Sequence, residues 1–262
     1  GEGAAGYAGG GRYEGQFQCR MRHGHGALSL PGGEHFEGEW CEDQRHGQGT
    51  ERWPDGTAFS GNFERGLRCG HGEMKWPEGS SYTGAFQCGK ANGEGRLVRT
   101  DGSVYEGQFA EDCMSGHGHM RWPDGVDYVG QFQRNRRHGE GTMEWPTGRW
   151  RSYEGQWCEN AQHGRGALTE RTGGPRTGTF EAGRLAAWED PPKPGAAAAK
   201  PARRPSLQAA ARASGDDLAG VELLPGSGGP AEAGAAAASP PDDSRLRGLW
   251  DILEGARAPP EA

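Results

Sequence analysis

Apolar and polar residues alternate in short runs along most of the chain, and the runs return in the same order. Tyr13, Gly15 and Phe17 alternate with Glu14 and Gln16. A strand built from them carries one aromatic face and one polar face. Met74 and Trp76 alternate in the same way with Glu73 and Lys75, and Met120 and Trp122 with His119 and Arg121. Between these runs stand Pro54-Asp55-Gly56, Pro77-Glu78-Gly79 and Pro123-Asp124-Gly125. Proline pre-sets φ and glycine supplies a positive φ, so these triplets mark turns. The chain therefore reads as strand, turn, strand, turn: a long antiparallel meander.

The order repeats every 23 residues, as Gly15, Gly38, Gly61, Gly84, Gly107 and Gly130 show. A two-residue slip gives Gly155, and the period resumes at Gly178. A second beat places glycine pairs at Gly24/Gly26, Gly47/Gly49, Gly70/Gly72, Gly93/Gly95, Gly116/Gly118, Gly139/Gly141 and Gly164/Gly166. A fixed period in this range signals a repeat array. Its stability is then a sum of neighbour-to-neighbour interfaces.

The phase lines the aromatic residues up in two columns. The first is Tyr13, Phe36, Phe59, Tyr82, Tyr105, Tyr128 and Tyr153; the second is Phe17, Trp40, Phe63, Phe86, Phe109, Phe132 and Trp157. Strand glycines leave room for a ring to lie across the backbone. The expectation is a continuous exposed apolar stripe, which normally marks an interaction site. An amphipathic helix or an extended peptide is the natural occupant of such a stripe.

The run Tyr-x-Gly-x-Phe/Trp, then His/Asn-Gly-x-Gly, then Pro-Asp-Gly resembles the MORN repeat (membrane occupation and recognition nexus). Seven units match over 13–176. Phe36 and Phe59 stand in place of the tyrosine, and Cys69 and Ser115 in place of His/Asn. The resemblance implies an all-β fold, an elongated single-layer antiparallel β-meander with a concave groove. Projecting the phase backwards from Gly15 makes 1–12 a partial repeat, as if the chain began inside a unit. At the other end, 177–188 reads as a half-repeat cap.

Composition narrows the functional classes. Hydrophobic residues make up 32% and glycine 49 of 262 positions, too little apolar mass for a conventional two-layer domain. The net charge of −7 argues against nucleic acid as a partner. No stretch approaches the ~18 apolar residues of a membrane span. The six cysteines share no phase between neighbouring repeats, so they read as reduced thiols and the setting as cytoplasmic. Seven of the nine histidines fall at two repeat phases, about 10 Å from their equivalents, and are read as structural turn residues with no metal. The glycine pairs lack the lysine and the following helix of a phosphate-binding loop. No nucleophile elbow or Cys/His pair appears. The reading is a protein that is not an enzyme, without cofactor.

Three features read as independent of the beat. Arg134, Arg136 and Arg137 form a basic patch able to meet anionic lipid head groups. The segment 189–241 is rich in proline and alanine and is read as a disordered linker, with Arg203-Arg204-Pro205-Ser206 making Ser206 a candidate phosphosite. Within 242–257, Leu246, Leu249, Trp250 and Leu253 share one helical face, an amphipathic motif able to dock on the groove of its own or a second copy as a homodimer contact. Residues 258–262 are read as disordered.

The leading expectation is a non-enzymatic scaffold that binds a helical or extended protein partner in the aromatic groove. Resemblance to MORN-rich axonemal proteins, radial-spoke heads among them, implies a cilium or flagellum. The alternatives are a peripheral module for anionic phospholipid and a regulatory fragment of a larger enzyme.

Overall fold

The computed structural model describes residues 1–189. These form a single 17-stranded sheet. Its strands are β1 (Glu2–Gly6), β2 (Arg12–Gln18), β3 (Met21–Ser29), β4 (His35–Cys41), β5 (Gln44–Arg52), β6 (Ala58–Glu64), β7 (Leu67–Lys75), β8 (Ser81–Gln87), β9 (Lys90–Val98), β10 (Val104–Ala110), β11 (Cys113–Arg121), β12 (Asp127–Gln133), β13 (Arg136–Glu144), β14 (Trp150–Cys158), β15 (Ala161–Glu170), β16 (Pro175–Glu181) and β17 (Arg184–Trp188). Each strand pairs antiparallel with the next one in sequence. There is no helix among the described residues.

The two glycine beats of the sequence merge into one structural line. Gly3 stands opposite Gly15, Gly15 opposite Gly26, Gly26 opposite Gly38, and Gly38 opposite Gly49. The ladder continues strand by strand to Gly166 opposite Gly178, and ends where Gly178 meets Trp188. First-column rings lie across this ladder. A Cβ added to Gly72 would stand 2.5 Å from the Phe59 ring, which leaves glycine as the only residue that fits.

The first glycine of each pair does a different job. Two residues of β2, from Gly15 to Phe17, span four of β3, from Gly26 back to Arg22. The extra length is a bulge, and Gly24 takes it up with φ of 65°. The bulge leaves the His25 N–H to be satisfied, and it donates to Gln16 Oε1 at 3.1 Å. The same bond recurs from His117 to Gln108, from Glu140 to Gln131 and from Arg165 to Gln156, with Glu39 serving Gln48.

The short turns between β2 and β3 and their equivalents hold two residues, both with positive φ, as at Glu111 (50°) and Asp112 (68°). That is the hairpin turn whose twist suits the sheet, and it favours Asn, Asp or Gly at its second position. The sequence obliges with Asp43, Gly66, Gly89, Asp112, Asn135, Asn160 and Gly183. This residue also clamps the preceding repeat. Asn135 donates its N–H to Met114 O at 3.0 Å and accepts the Met114 N–H on Oδ1 at 2.7 Å.

The core is one ring layer thick. Tyr13 packs edge-on against Phe17 and Trp40, Phe36 against Trp40 and Phe63, Phe59 against Phe63 and Phe86, and the pattern runs unbroken to Tyr153 against Phe180. Centroid separations of about 5 Å and near-perpendicular planes suit the ring quadrupoles, each pair adding ~0.5–1.5 kcal/mol beyond its buried area. Burial pushes the Tyr105 and Tyr128 phenols up. Their hydroxyls donate to Gln108 O and Gln131 O.

Candidate functional site

The two ring columns are the core of the ribbon. This corrects the expectation of an exposed aromatic stripe. Tyr13, Phe36, Trp40, Phe59, Phe63, Tyr82, Phe86, Tyr105, Phe109, Tyr128, Phe132, Tyr153 and Trp157 are all buried, and only Phe17, the first of its column, is half-buried. In a single sheet such burial needs a cover, and side chains on the same face provide it.

One part of that cover is the position seven residues after each glycine of the first beat, from Gly15 to Gly155: Arg22, Arg45, Arg68, Ala91, Met114, Arg137 and Gln162. The guanidinium of Arg22 lies 4.2 Å from the Trp40 ring, and that of Arg137 lies 4.6 Å from Trp157. Arg45 sits against Phe36 and Phe63, and Arg68 against Phe59 and Trp53. The other part is a tryptophan row just before the long turns. Trp53, Trp76, Trp122 and Trp145 pack on the core while remaining half-buried. Arg99 replaces tryptophan in this row, and burial lowers its pKa.

The Arg134–Arg137 patch does not exist as a patch. Arg137 is buried and in phase with Arg22, Arg45 and Arg68; it donates to Asn160 O at 2.9 Å. Burial pushes its guanidinium down to about 10, so it stays charged at neutral pH. Arg136 pairs with Glu159 at 2.8 Å, and exposed Arg134 occupies a turn with φ of 48°. The recurring histidines lie inside strands, beside the bulges, and not in turns. All six cysteines are free thiols. Ser206, Leu246, Leu249, Trp250 and Leu253 lie outside the described residues. Glu189, placed in the linker by its sequence, donates its N–H to Thr177 O and pairs with Arg165 at 2.8 Å.

The opposite face is polar and carries a shallow furrow of about 510 Å³ over β4 to β8. Its floor is the ladder itself, at Gly38, Gly49, Gly61 and Gly72, and its sides include Glu37, Gln48, Thr50, Ser60, His71, Glu73 and Thr83.

A family model described as MORN repeat matches residues 13–34, 36–58, 59–81, 82–104, 105–126, 128–148 and 153–173. The chain belongs to the MORN-repeat family. The matched unit is a non-catalytic repeat module, and no enzyme family is indicated. No curated protein matches. Among solved structures, the chain is similar to the SAS-4 (dCPAP) TCP domain of Drosophila melanogaster, in complex with a proline-rich motif of Ana2 (dSTIL). That match has 15% identity, covers 56% of this chain and 80% of that one, and has a TM-score of 0.36. It is also similar to the wild-type TCP10 domain of Danio rerio CPAP, with 14% identity, 72% and 99% coverage and a TM-score of 0.31. Likeness at this level carries no functional argument.

Within this MORN array the sequence reading missed three recurring functions: the bulge-capping Gln16 position, the clamping Asn135 position and the covering Arg22 position. Each had a signal, since each recurs in phase. Polar residues at one phase nevertheless look alike until the strand pairing shows which N–H or ring each one meets.

Proposed function

We propose that this MORN array is a non-enzymatic scaffold that holds a helical or extended protein segment against its aromatic side, within a ciliary or axonemal assembly. The observation that supports this reading is the half-buried row of Trp53, Trp76, Trp122 and Trp145, set on a rigid ring floor. Half-buried indoles, with guanidinium groups over Trp53 and Trp122, have the composition of interface hot spots. The floor orders them before a partner arrives, which lowers the cost of binding. The buried columns thus support the contact layer and the indole edges form it.

Affinity purification with the full chain, from ciliated and from non-ciliated cells, tests this. The wild type should recover axonemal proteins from ciliated cells. A Trp53→Ala, Trp76→Ala, Trp122→Ala variant should recover at least about tenfold less, as loss of several hot-spot residues implies. Recovery of no axonemal protein would remove the ciliary setting. Undiminished recovery by a folded triple variant would remove the indole row as the contact.

A further inference from the structure

We infer that the glycine furrow on the polar face docks a basic, extended segment of a protein partner, independently of the tryptophan row on the other face. The furrow's width excludes a helix. On β5 and β7 its walls are the residues immediately before and after the ladder glycine: Gln48 and Thr50 flank Gly49, and His71 and Glu73 flank Gly72. Two residues of strand advance only about 6.8 Å, whereas a helix with its side chains is about 10–12 Å across. A single extended chain fits between such walls and a helix does not.

The furrow is also pre-formed. Thr50 and Ser60 share a hydrogen bond of 2.8 Å along one wall, and Gln48 donates to Asn62 at 2.7 Å along the other. Both bonds link neighbouring strands and fix the wall positions. Because the floor is backbone already paired within the sheet, recognition falls to the wall side chains.

Those walls select charge. Glu37 stands at one end with no ion-pair partner among the described residues. Glu73 stands near the other end, bonded to the exposed Lys75 at 2.9 Å. His71 is the one basic group of the lining. Beyond Thr83 the character changes, because Arg96 bridges to Glu106 at 3.0 Å and puts a cation in the same line. The acidic stretch is therefore bounded. Glu37 and Glu73 lie on β4 and β7, three strand spacings apart, or about 14 Å. An extended chain advances about 3.1–3.3 Å per residue. The partner therefore presents two lysines or arginines four or five positions apart, with small residues between them over the glycine floor.

Fluorescence anisotropy on the full chain tests this at low salt. The probe is a dye-labelled peptide of alanine, serine and proline bearing two lysines five positions apart. Binding is expected, and Glu37→Gln with Glu73→Gln should weaken it at least about tenfold, two lost charge contacts. Trp53→Ala with Trp76→Ala should leave it unchanged, which separates failure here from failure of the tryptophan row. Peptides with the lysines adjacent, or with glutamates in their place, should bind at least about fivefold more weakly. A Glu37→Lys, Glu73→Lys variant should prefer the glutamate peptide. No binding, equal affinity for the Gln variant, or indifference to lysine spacing would overturn the inference. The substituted residues lie away from the ring core, and an unchanged thermal melt shows that the variants are folded.

Discussion

The second and third repeats and the fourth and fifth are built on the same glycine ladder and the same ring layer, yet they close it differently. In the first pair the cover is charged. Arg45 lies against Phe36 and Phe63, pairs with Glu51 and donates to Gly66 O, while Arg68 lies against Phe59 and donates to Gly89 O. In the second pair the same positions hold Ala91 and Met114, both buried. The residue facing the first-column ring is charged only in the second repeat. Glu51 stands opposite Phe36, whereas Met74 stands opposite Phe59, Leu97 opposite Tyr82 and Met120 opposite Tyr105. The lesson is that ladder and rings specify the fold. The cover needs only to exclude water and to leave no charge uncompensated.

The largest effect should come from the shared layer. Tyr105→Ala removes a fully buried ring that touches Phe109 and Phe132, and should cost about 3–5 kcal/mol. Phe59→Ala, under the Arg68 cover, should cost about the same, since both rings make the same two contacts. Urea denaturation of the two variants measures this. A loss confined to one of them would show that the cover, and not the ring layer, sets local stability.

A smaller effect should come from the charged cover itself. Arg45→Met takes the guanidinium away from the Glu51 carboxylate in a mostly covered position, where the two side chains keep only 20% and 14% of their surface exposed. Breaking a covered pair from one side should cost about 2–3 kcal/mol, allowing for the remaining solvent access. Adding Glu51→Met rebuilds the chemistry of the fifth repeat and should restore stability to within about 1 kcal/mol of wild type, because apolar replacements of such pairs are often neutral. A double variant no better than Arg45→Met would mean that the two kinds of cover are not interchangeable.

Much of this was legible in the sequence, and the boundary of legibility is physical. The ladder could be read because a ring over a strand tolerates only glycine, so Gly15 and Gly26 recur without exception. The strands could be read from alternation at Tyr13 to Phe17. Burial could not. Alternation states which face Tyr13 and Trp40 share, but not that Arg22 folds back over both. For the same reason Arg137 looked out of phase. Counted from Gly130 it falls in the covering column, a role that exists only once the strands are paired. The furrow was also hidden, because Glu37 and Glu73 occupy different phases of the repeat and come into one line through the pairing of β4 to β7.

The smallest effect concerns the clamp between the fourth and fifth repeats, where the apolar cover has a consequence for pH. Asp112 accepts the Ala91 N–H at 2.8 Å, just as Asn135 accepts that of Met114. Asp112 is buried, and desolvation raises its carboxyl above the ordinary value, opposed by the Ala91 N–H and by the charges of Arg68 and Lys90. A raised folded-state pKa favours the native state while the group is protonated. That contribution is complete below the unfolded value of about 3.9 and is lost as pH climbs through the folded value. At neutral pH the clamp therefore carries a charge that folding disfavours. Asp112→Asn keeps the acceptor and the turn preference and removes the charge. It should stabilise the protein by about 0.5–1 kcal/mol at pH 7, with the gain shrinking towards pH 4. Urea denaturation of both proteins at the two pH values checks this. A gain that does not change with pH, or a loss at pH 7, would mean that Arg68 and Lys90 outweigh burial, and that the apolar repeats manage this buried charge as the charged repeats do.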